Sequence, residues 1–278
     1  MLPYKIFRSA EFVNRSVEID KTQDLLRERN RGVIVFEGDR GVGKSSLLFE
    51  LYRRVQQRSN LRPFLISLFP YSAPEFESNK NIWIKSEEEF QAWDIPALLN
   101  KLAHYLQIDF IQSQDPELQK EYLARGLAYR AFETVPVLFV DSIYECPEAT
   151  RVEIEKYVLA PLLTSERMFI VLSGRGKRPA WARPELQNAE IIPLPPLAEE
   201  YVKEQLEKIG SRHLSQYKKI ADLSGGCPLF VRVMGESKKE LTEALNEAID
   251  ISVKETLPEN EREEKRYSDI RIEVEKLS

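Results

Sequence analysis

The sequence has little cysteine and little histidine, with two of each in 278 residues. Cys146 and Cys227 lie far apart and belong to no CxxC motif or Cys/His cluster. This scarcity argues against both a disulfide framework and a zinc site, and it favours a reducing, cytoplasmic setting. We interpret both cysteines as packing residues. His104 and His213 fall in predicted helices, and we expect a catalytic role for neither.

Long apolar runs are also missing from the chain. No stretch approaches the roughly 20 consecutive apolar residues that a membrane-spanning helix needs. The first residues, Met1–Lys5, lack the apolar core of a secretion signal. We therefore expect a soluble globular protein with no membrane partner. The composition, 42% hydrophobic and 31% charged, is typical of that class.

The charge is nearly balanced, with 40 basic residues against 45 acidic ones and a formal net charge of −5. This balance provides no electrostatic reason to expect nucleic acid as a partner. A local basic patch would still allow it. The candidates for such a patch are Arg27, Arg29, Arg31, Arg175, Lys177, Arg178 and Arg183.

The strongest motif is a phosphate-binding loop of the pattern GxxxxGK[ST], which begins at Gly38. The apolar run Val33–Phe36 predicts a buried strand before it, and helical spacing over Ser46–Tyr52 predicts a helix after it. Glycines allow the backbone to wrap around oxyanions, and the helix adds the positive end of its dipole. The sequence therefore predicts a nucleoside triphosphate site formed by Gly38, Asp39, Arg40, Gly41, Val42, Gly43, Lys44, Ser45 and Ser46.

Three side chains are predicted to bind the phosphates and a metal ion. Lys44 would place its positive charge on the β- and γ-phosphates, and the Ser45 hydroxyl would bind Mg²⁺. A second apolar run ends in Asp141, which fits the Walker B carboxylate that holds the magnesium shell opposite Ser45. We therefore predict Mg²⁺ with ATP or ADP as the cofactor, with Ser45 and Asp141 at the metal.

Two residues are predicted to act in hydrolysis: Glu145, from its position shortly after Asp141 in the sequence, and Arg175, from its position after a strand. Many hydrolytic P-loop proteins carry a second acid directly after the Walker B aspartate, but Ser142 has that position here. Glu145 is the nearest carboxylate and the candidate base, and an ordinary loop glutamate is the alternative. Arg175 follows another buried strand, where the carboxyl ends of parallel strands face the ligand. We predict that Arg175 contacts the γ-phosphate, with a solvated loop arginine as the alternative.

Strands and helices alternate over the first two thirds of the chain. This alternation predicts an α/β P-loop NTPase fold, in which helices sandwich a parallel five-stranded sheet. The polar, proline-bearing segment 70–89 is interpreted as a surface insertion. The five strands are predicted at Val33–Phe36, Arg62–Phe69, Val135–Asp141, Met168–Ser173 and Ala189–Leu194.

The pattern changes after Pro195 and Pro196, because the chain is then helical to about residue 250. We predict a nucleotide-binding domain over residues 1–195 and a small all-helical lid over residues 196–256. Residues 257–278 are dense in charge and are interpreted as an exposed tail or the start of a further domain.

The order of the motifs resembles the STAND class of AAA+-related P-loop NTPases, with its NB-ARC and NACHT members. The segment Phe12–Arg15 resembles the FVGRE motif of that class, although Asn14 replaces its glycine and Ser16 its glutamate. Three further segments resemble its sensor-1 strand, its linker into the helical subdomain and its GxP motif: Leu172–Arg175, Pro193–Leu197 and Gly226–Leu229. The similarity covers about residues 10–250.

The resemblance implies an ATP-dependent switch with slow hydrolysis, in which a helical lid closes over the nucleotide. It places Phe12, Val13 and Arg15 against the adenine and packs Pro228 on the base. ATP is the implied nucleotide, and the sequence has no NKxD guanine motif. A protein partner or self-association is the implied assembly.

Two other functions stay open at this point. One is a DNA-associated AAA+ ATPase of the replication-initiator or transposition-helper type, which would need a basic surface. The other is a regulatory fragment that binds nucleotide and a protein partner without turnover. A small-molecule kinase is not expected, because no motif for a substrate pocket or for lid arginines accompanies the loop.

Overall fold

The structure is a computed structural model of the chain, and several predicted features fall outside the part that it describes. Among these features are Glu145, Arg175, Cys146, His104 and the tail 257–278, so their predicted roles stay predictions. The described residues are 9–29, 31–67, 82–83, 100, 103, 107, 113–129, 134–144, 148–164, 167–174 and 179–254.

The described strands form one parallel sheet. Its spatial order is β3-β2-β4-β5-β1-β6, so the strand that leads into the phosphate loop, β1, lies between β5 and β6. The strands are β1 Arg31–Glu37, β2 Leu61–Ser67, β3 Ile82–Trp83, β4 Val135–Asp141, β5 Met168–Ser173 and β6 Glu190–Pro193.

The five predicted strands are confirmed, and the sheet has one more. The additional strand, β3, has two residues and pairs at the sheet edge with Ile66 and Ser67 of β2. It lies inside segment 70–89, whose other residues fall outside the described part of the chain, so the interpretation of that segment as a surface insertion stays a prediction. A two-residue strand is too short for an alternating or continuous apolar pattern to reveal.

Helices connect the strands and follow the sheet. They are α1 Ser16–Glu28, α2 Lys44–Gln56, α3 Pro116–Tyr129, α4 Glu148–Ile154, α5 Ala160–Leu163, α6 Pro184–Gln187, α7 Glu199–Lys208, α8 Tyr217–Ser224, α9 Pro228–Glu236 and α10 Leu241–Lys254. A π-helical turn joins α4 to α5, and short 3₁₀ turns precede α1 and α8. None of the described helices is long and apolar enough to cross a membrane.

The sheet buries both of its faces. Successive side chains of a strand point to opposite faces, and β1 shows this directly. Val33 and Val35 lie in a core with residues of α3, the π-helical turn and α5, whereas Ile34 and Phe36 lie in a second core with α1 and α2. Every residue of β4 and β5 is buried, which explains their continuous apolar sequences.

The helices after the sheet have a core of their own. Apolar side chains of α7, α8, α9 and α10, such as Leu206, Ile220, Phe230 and Leu245, form this third cluster. We call Glu199–Lys254 the helical region. Its cluster also includes Cys227, which lies just before α9 and faces the phosphate loop.

Candidate nucleotide-binding site

The phosphate loop joins β1 to α2 through residues that need glycine. Gly41 and Gly43 have φ angles of 75° and 97°, in the left-handed region that glycine adopts without a Cβ penalty. Gly43 directly precedes α2, which begins at Lys44. The first N–H groups of a helix have no partner within it, and together with the helix dipole they favour an anion. The backbone therefore has the form of an anion-binding turn.

Lys44 folds back over the loop that precedes it. Its Nζ donates hydrogen bonds to the carbonyl oxygens of Gly38 and Asp39, at 2.6 and 2.9 Å. The side chain is 7% exposed, so the ammonium group lies within the curve of the loop. A positive charge at this point is suited to the phosphates of a nucleotide.

The outer carbonyls of the loop are bound by donors from other parts of the chain. The Arg40 oxygen accepts from Cys227 Sγ at 3.7 Å, and the Gly41 oxygen accepts from the Leu229 N–H at 3.2 Å. The Val42 oxygen accepts from Arg15 Nη2 at 2.8 Å. In a trans peptide the N–H points away from the C=O, and the structure has no cis peptide among its described bonds. Each outward carbonyl thus directs the next N–H to the opposite side.

Asp141 is fully buried at the carboxyl end of β4, and hydroxyl groups surround its carboxylate. Ser45 Oγ donates to Oδ1 at 2.9 Å, and Ser142 Oγ donates to Oδ2 at 3.3 Å. Ser173, at the end of β5, also donates to Oδ1. The structure therefore brings the predicted metal residues, Ser45 and Asp141, into direct contact.

Sequence reasoning missed two of these hydroxyls. Ser173 was visible only as the residue before Gly174 and Arg175, but the β4–β5 register, with Val140 opposite Leu172, puts it beside Asp141. Ser142 was noted only as the replacement for a second acid. In the structure it is 2% exposed, has a φ of 61° and turns its hydroxyl to Asp141. The register was the signal that could have identified Ser173.

The oxygen atoms at Asp141 fit a magnesium ion. Mg²⁺ prefers hard oxygen ligands and is usually held by one or two carboxylates together with substrate phosphates. Ser45 Oγ and Asp141 Oδ1, at 2.9 Å, supply one hydroxyl and one carboxylate. Over the described part of the chain, no group of three or more His, Cys, Asp or Glu side chains could hold a metal by itself. An ion here would complete its shell with phosphate oxygens and water.

The segment Glu11–Arg15, which we call the N-terminal segment, lies between the phosphate loop and the helical region. Lys208 Nζ of α7 donates to the Phe12 carbonyl at 2.6 Å, and Arg232 of α9 pairs with Glu11 at 3.1 Å. Phe12 is partly buried against the core that contains α2, and Val13 is 7% exposed. The predicted adenine residues Phe12 and Val13 are therefore packed into the junction between the sheet and the helices.

Arg15 lies beneath the phosphate loop. It is 4% exposed, and its guanidinium donates to the Val42 oxygen at 2.8 Å, the Pro195 oxygen at 2.7 Å and Glu18 Oε1 at 3.2 Å. Burial lowers the pKa of Arg15, and the Glu18 carboxylate opposes that effect. These three hydrogen-bond partners are a carboxylate and two main-chain oxygens, whereas the resemblance placed this residue at the adenine.

Pro228 contacts the loop from the helical region. Its Cγ would lie 3.9 Å from a Cβ on Gly43, and its own carbonyl accepts from Gln205 Nε2 at 3.0 Å. A Cβ on Gly41 would lie 2.8 Å from Cys227 Sγ. The segment Cys227–Leu229 therefore rests directly on the loop that would hold the phosphates.

The candidate basic patch and His213 have surroundings that the sequence did not predict. Arg27 pairs with Asp24 at 3.3 Å, and Arg29 pairs with Glu190 at 3.7 Å, so two members of the candidate basic patch are neutralised locally. His213 is buried in a turn rather than in a helix, where Arg212 Nε donates to its Nε2 at 3.2 Å.

Comparison with known proteins identifies the fold. No protein-family profile matches the sequence, and no curated protein matches it. The solved structure of Cdc6p from Pyrobaculum aerophilum matches with a TM-score of 0.57 and 13% identity, over 90% of this chain and 74% of that one. The chain has the fold of AAA+ P-loop ATPases.

Two further solved structures are less similar. RuvB from Thermotoga maritima, a Holliday junction branch migration motor, has a TM-score of 0.44 and 13% identity over 89% of this chain and 72% of that one. A STAND protein with a tetratricopeptide repeat sensor from Pyrococcus horikoshii has a TM-score of 0.40 and 18% identity. That match covers 86% of this chain and 32% of the STAND protein.

Proposed function

We propose that this protein binds Mg²⁺ with ATP or ADP and works as a STAND-type switch that hydrolyses ATP slowly. The support is the combination of an anion-binding turn, a buried Lys44 and a contact between Ser45 and Asp141. Lys44 would meet the phosphates, and Ser45 and Asp141 would hold the ion. The bound ion would neutralise phosphate charge. Nucleotide binding at the loop is the first part of this proposal.

Slow hydrolysis is supported most directly by Ser142. A residue beside the Walker B aspartate is well placed to activate water, and a carboxylate there would act as the base. Ser142 has no carboxylate, and its hydroxyl is already committed to Asp141 at 3.3 Å. The side chain is also buried, at 2% exposure. This position therefore lacks a general base, and we propose that nucleotide is held for longer than it is turned over.

Switching is supported by the contact between the helical region and the phosphate loop. Cys227 and Leu229 donate hydrogen bonds to the Arg40 and Gly41 oxygens. A change in the conformation of the loop would therefore break or remake the bonds that hold the helical region against it. A ligand shifts such an equilibrium only through its different affinity for the two conformations. We propose that ATP and ADP differ in this way, and that the conformation is read by a protein partner or a second copy of the chain.

A phosphate-release assay tests the slow-hydrolysis part. We expect the wild-type protein with excess Mg²⁺-ATP to turn over well below the ~1–10³ per second that is common for enzymes. Asp141→Asn should remove that low rate, and Glu145→Gln decides between the two interpretations of Glu145: a further loss identifies it as the base, and an unchanged rate identifies it as a loop glutamate. Fast turnover that Glu145→Gln abolishes would contradict the proposal and identify an ATPase motor or helper.

A DNA-associated ATPase is the competing function, and the charge balance argues against it. It calls for a basic stripe, yet Arg27 and Arg29 are paired with Asp24 and Glu190, and the net charge is −5. Binding to duplex DNA that weakens steeply as salt rises would reverse this preference. Binding that is absent at 50 mM salt would support the switch.

A further inference from the structure

The position of Arg15 suggests a role that differs from contact with the base. Its guanidinium reaches three groups that are far apart in sequence: Val42 in the phosphate loop, Pro195 in the linker to the helical region, and Glu18 in α1. Few residues other than arginine can do this, because the guanidinium has five donors in a rigid fork. Arg15 therefore connects the phosphate loop directly to the linker.

The bond to Val42 fixes one peptide of the loop. Because the C=O and N–H of a trans peptide point in opposite directions, a Val42 carbonyl held by Arg15 turns the Gly43 N–H to the other side. Gly43 has a φ of 97°. Because glycine has no Cβ, it allows many backbone conformations, so the residue itself does little to fix the orientation of the Val42–Gly43 peptide. A buried charged donor at 2.8 Å supplies the restraint that the glycine lacks.

The bond to Pro195 extends this restraint to the helical region. The main-chain oxygen of Pro195 accepts a hydrogen bond from Arg15 Nη1 at 2.7 Å. Leu197, two residues on, donates its N–H to the Gly226 oxygen at 2.8 Å, and Gly226 directly precedes the segment that touches the loop. The order of contacts is thus Val42, Arg15, Pro195, Leu197 and Gly226.

The N-terminus of Arg15's own helix keeps the side chain in place. Arg15 precedes α1 with a φ of 69°, which is rare for a residue with a side chain. Glu18, in the first turn of α1, pairs with the guanidinium and is itself buried. Such a conformation persists when surrounding contacts determine it, and it points to a positional role.

We infer that Arg15 is a positioning residue that couples the phosphate loop to the linker, so that phosphate binding and seating of the helical region occur together. This inference rests on the proposed nucleotide binding. It adds a specific residue and a specific route to that function. The coupling works in both directions, because two linked binding events affect one another by the same factor.

The test compares Arg15→Met with Lys208→Met in the full chain. Lys208 also joins the N-terminal segment to the helical region, through the Phe12 oxygen, but its ion-pair partner is Glu204 of its own helix and not a residue of the phosphate loop. The probes are ADP and inorganic tripolyphosphate, which has no base. We expect Arg15→Met to weaken both about 10–100-fold, as loss of charged hydrogen bonds does, and Lys208→Met to stay within about twofold.

Hydrogen exchange separates coupling from simple stability. In the wild type, saturating tripolyphosphate should slow exchange of the Leu197 amide, which bonds the Gly226 oxygen on the proposed route, whereas the Leu229 amide bonds the loop itself. In Arg15→Met the same saturation should leave exchange of the Leu197 amide unchanged. A purely structural role would lower the thermal midpoint but keep the slowing once the probe is saturating, and that result would overturn the inference.

The failure modes are distinguishable. A wild-type protein that binds neither probe contradicts the proposed function and removes this inference with it. A wild-type protein that responds, with Arg15→Met responding equally, contradicts this inference alone. If Arg15→Met does not fold, Arg15→Lys replaces it, because lysine keeps the charge but lacks the planar fork. We expect Arg15→Lys to fold, to bind more weakly and to lose most of the slowing, and full retention of the slowing would count against the role.

Discussion

Ser173 donates a hydrogen bond from the end of β5 to the Asp141 carboxylate at the end of β4. The bond crosses two neighbouring parallel strands at the edge where the phosphate loop also leaves the sheet. Together with Ser45 and Ser142, it holds a fully buried carboxylate in one orientation. The metal-binding geometry that we propose therefore depends on a strand that the phosphate loop motif does not include.

Replacing Ser173 by alanine tests this dependence. Hydrogen bonds to charged groups contribute about 1.5–3 kcal/mol, so we expect Ser173→Ala to lower the free energy of urea unfolding by about that amount. It should also weaken Mg²⁺-dependent binding of ADP. Ser224→Ala is the matched control, because Ser224 is buried and bonds only neutral main-chain groups. Equal Mg²⁺ dependence in the two variants would contradict the role of Ser173.

Gly41 provides a test of the contact between the loop and the helical region. In Gly41→Ala the new Cβ would lie 2.8 Å from Cys227 Sγ and 2.9 Å from Leu229 Cβ, at a φ of 75°. We expect the helical region to separate from the loop, with faster hydrogen exchange at the start of α9 and weaker ADP binding.

The control for Gly41→Ala is Gly225→Ala. Gly225 also has a positive φ, 55°, but a Cβ there meets nothing within 4 Å. It therefore imposes the backbone strain without the collision. If both variants change exchange at α9 by the same factor, strain alone explains the result and the contact has no special role.

Glu50, in the helix after the phosphate loop, makes the free energy of unfolding depend on pH. Burial raises its pKa, but hydrogen bonds and charges from Arg53 and Arg54 outweigh burial and hold the pKa below its ordinary value. A folded-state pKa below the unfolded one, about 4.3, gives stability that is fully present above the unfolded value. That stability is lost as pH falls through the folded value.

Urea unfolding at pH 7 and at pH 3 measures this effect. We expect Glu50→Gln to be less stable than the wild type by about 1–2 kcal/mol at pH 7, since both arginines are partly exposed. The difference should shrink at pH 3. Glu28→Gln, at the exposed end of α1, should show no such difference. Parallel pH profiles for wild type and Glu50→Gln would rule out the ion pairs as the source.

Much of the sheet is predictable from the sequence, because β4 and β5 are buried on both faces and are therefore apolar up to their last residues, Asp141 and Ser173. The phosphate loop is predictable because its glycines and Lys44 are adjacent in the chain. The short strand β3 is not, since two residues form no pattern. The fold prediction thus succeeds where a buried element produces a continuous apolar run in the sequence.

The connections around the loop were harder to predict. Val42 and Pro195 lie 27 and 180 residues from Arg15 in the sequence, so only the folded chain shows that all three meet. The motif around Arg15 identified an important segment, but it did not identify the partners of the guanidinium. The hydroxyl of Ser142 was similarly hidden, because its direction depends on a φ of 61° that the residue type does not suggest.

The most direct test of the account is nucleotide binding by the purified chain. The protein is denatured to identify any nucleotide it carries, and stripped protein is then titrated with ADP and ATP, with and without Mg²⁺, beside Lys44→Ala. We predict bound adenine nucleotide or Mg²⁺-dependent binding in the wild type, and loss of that binding in Lys44→Ala. Unchanged affinity in Lys44→Ala, or no binding by the wild type, would contradict the central claim.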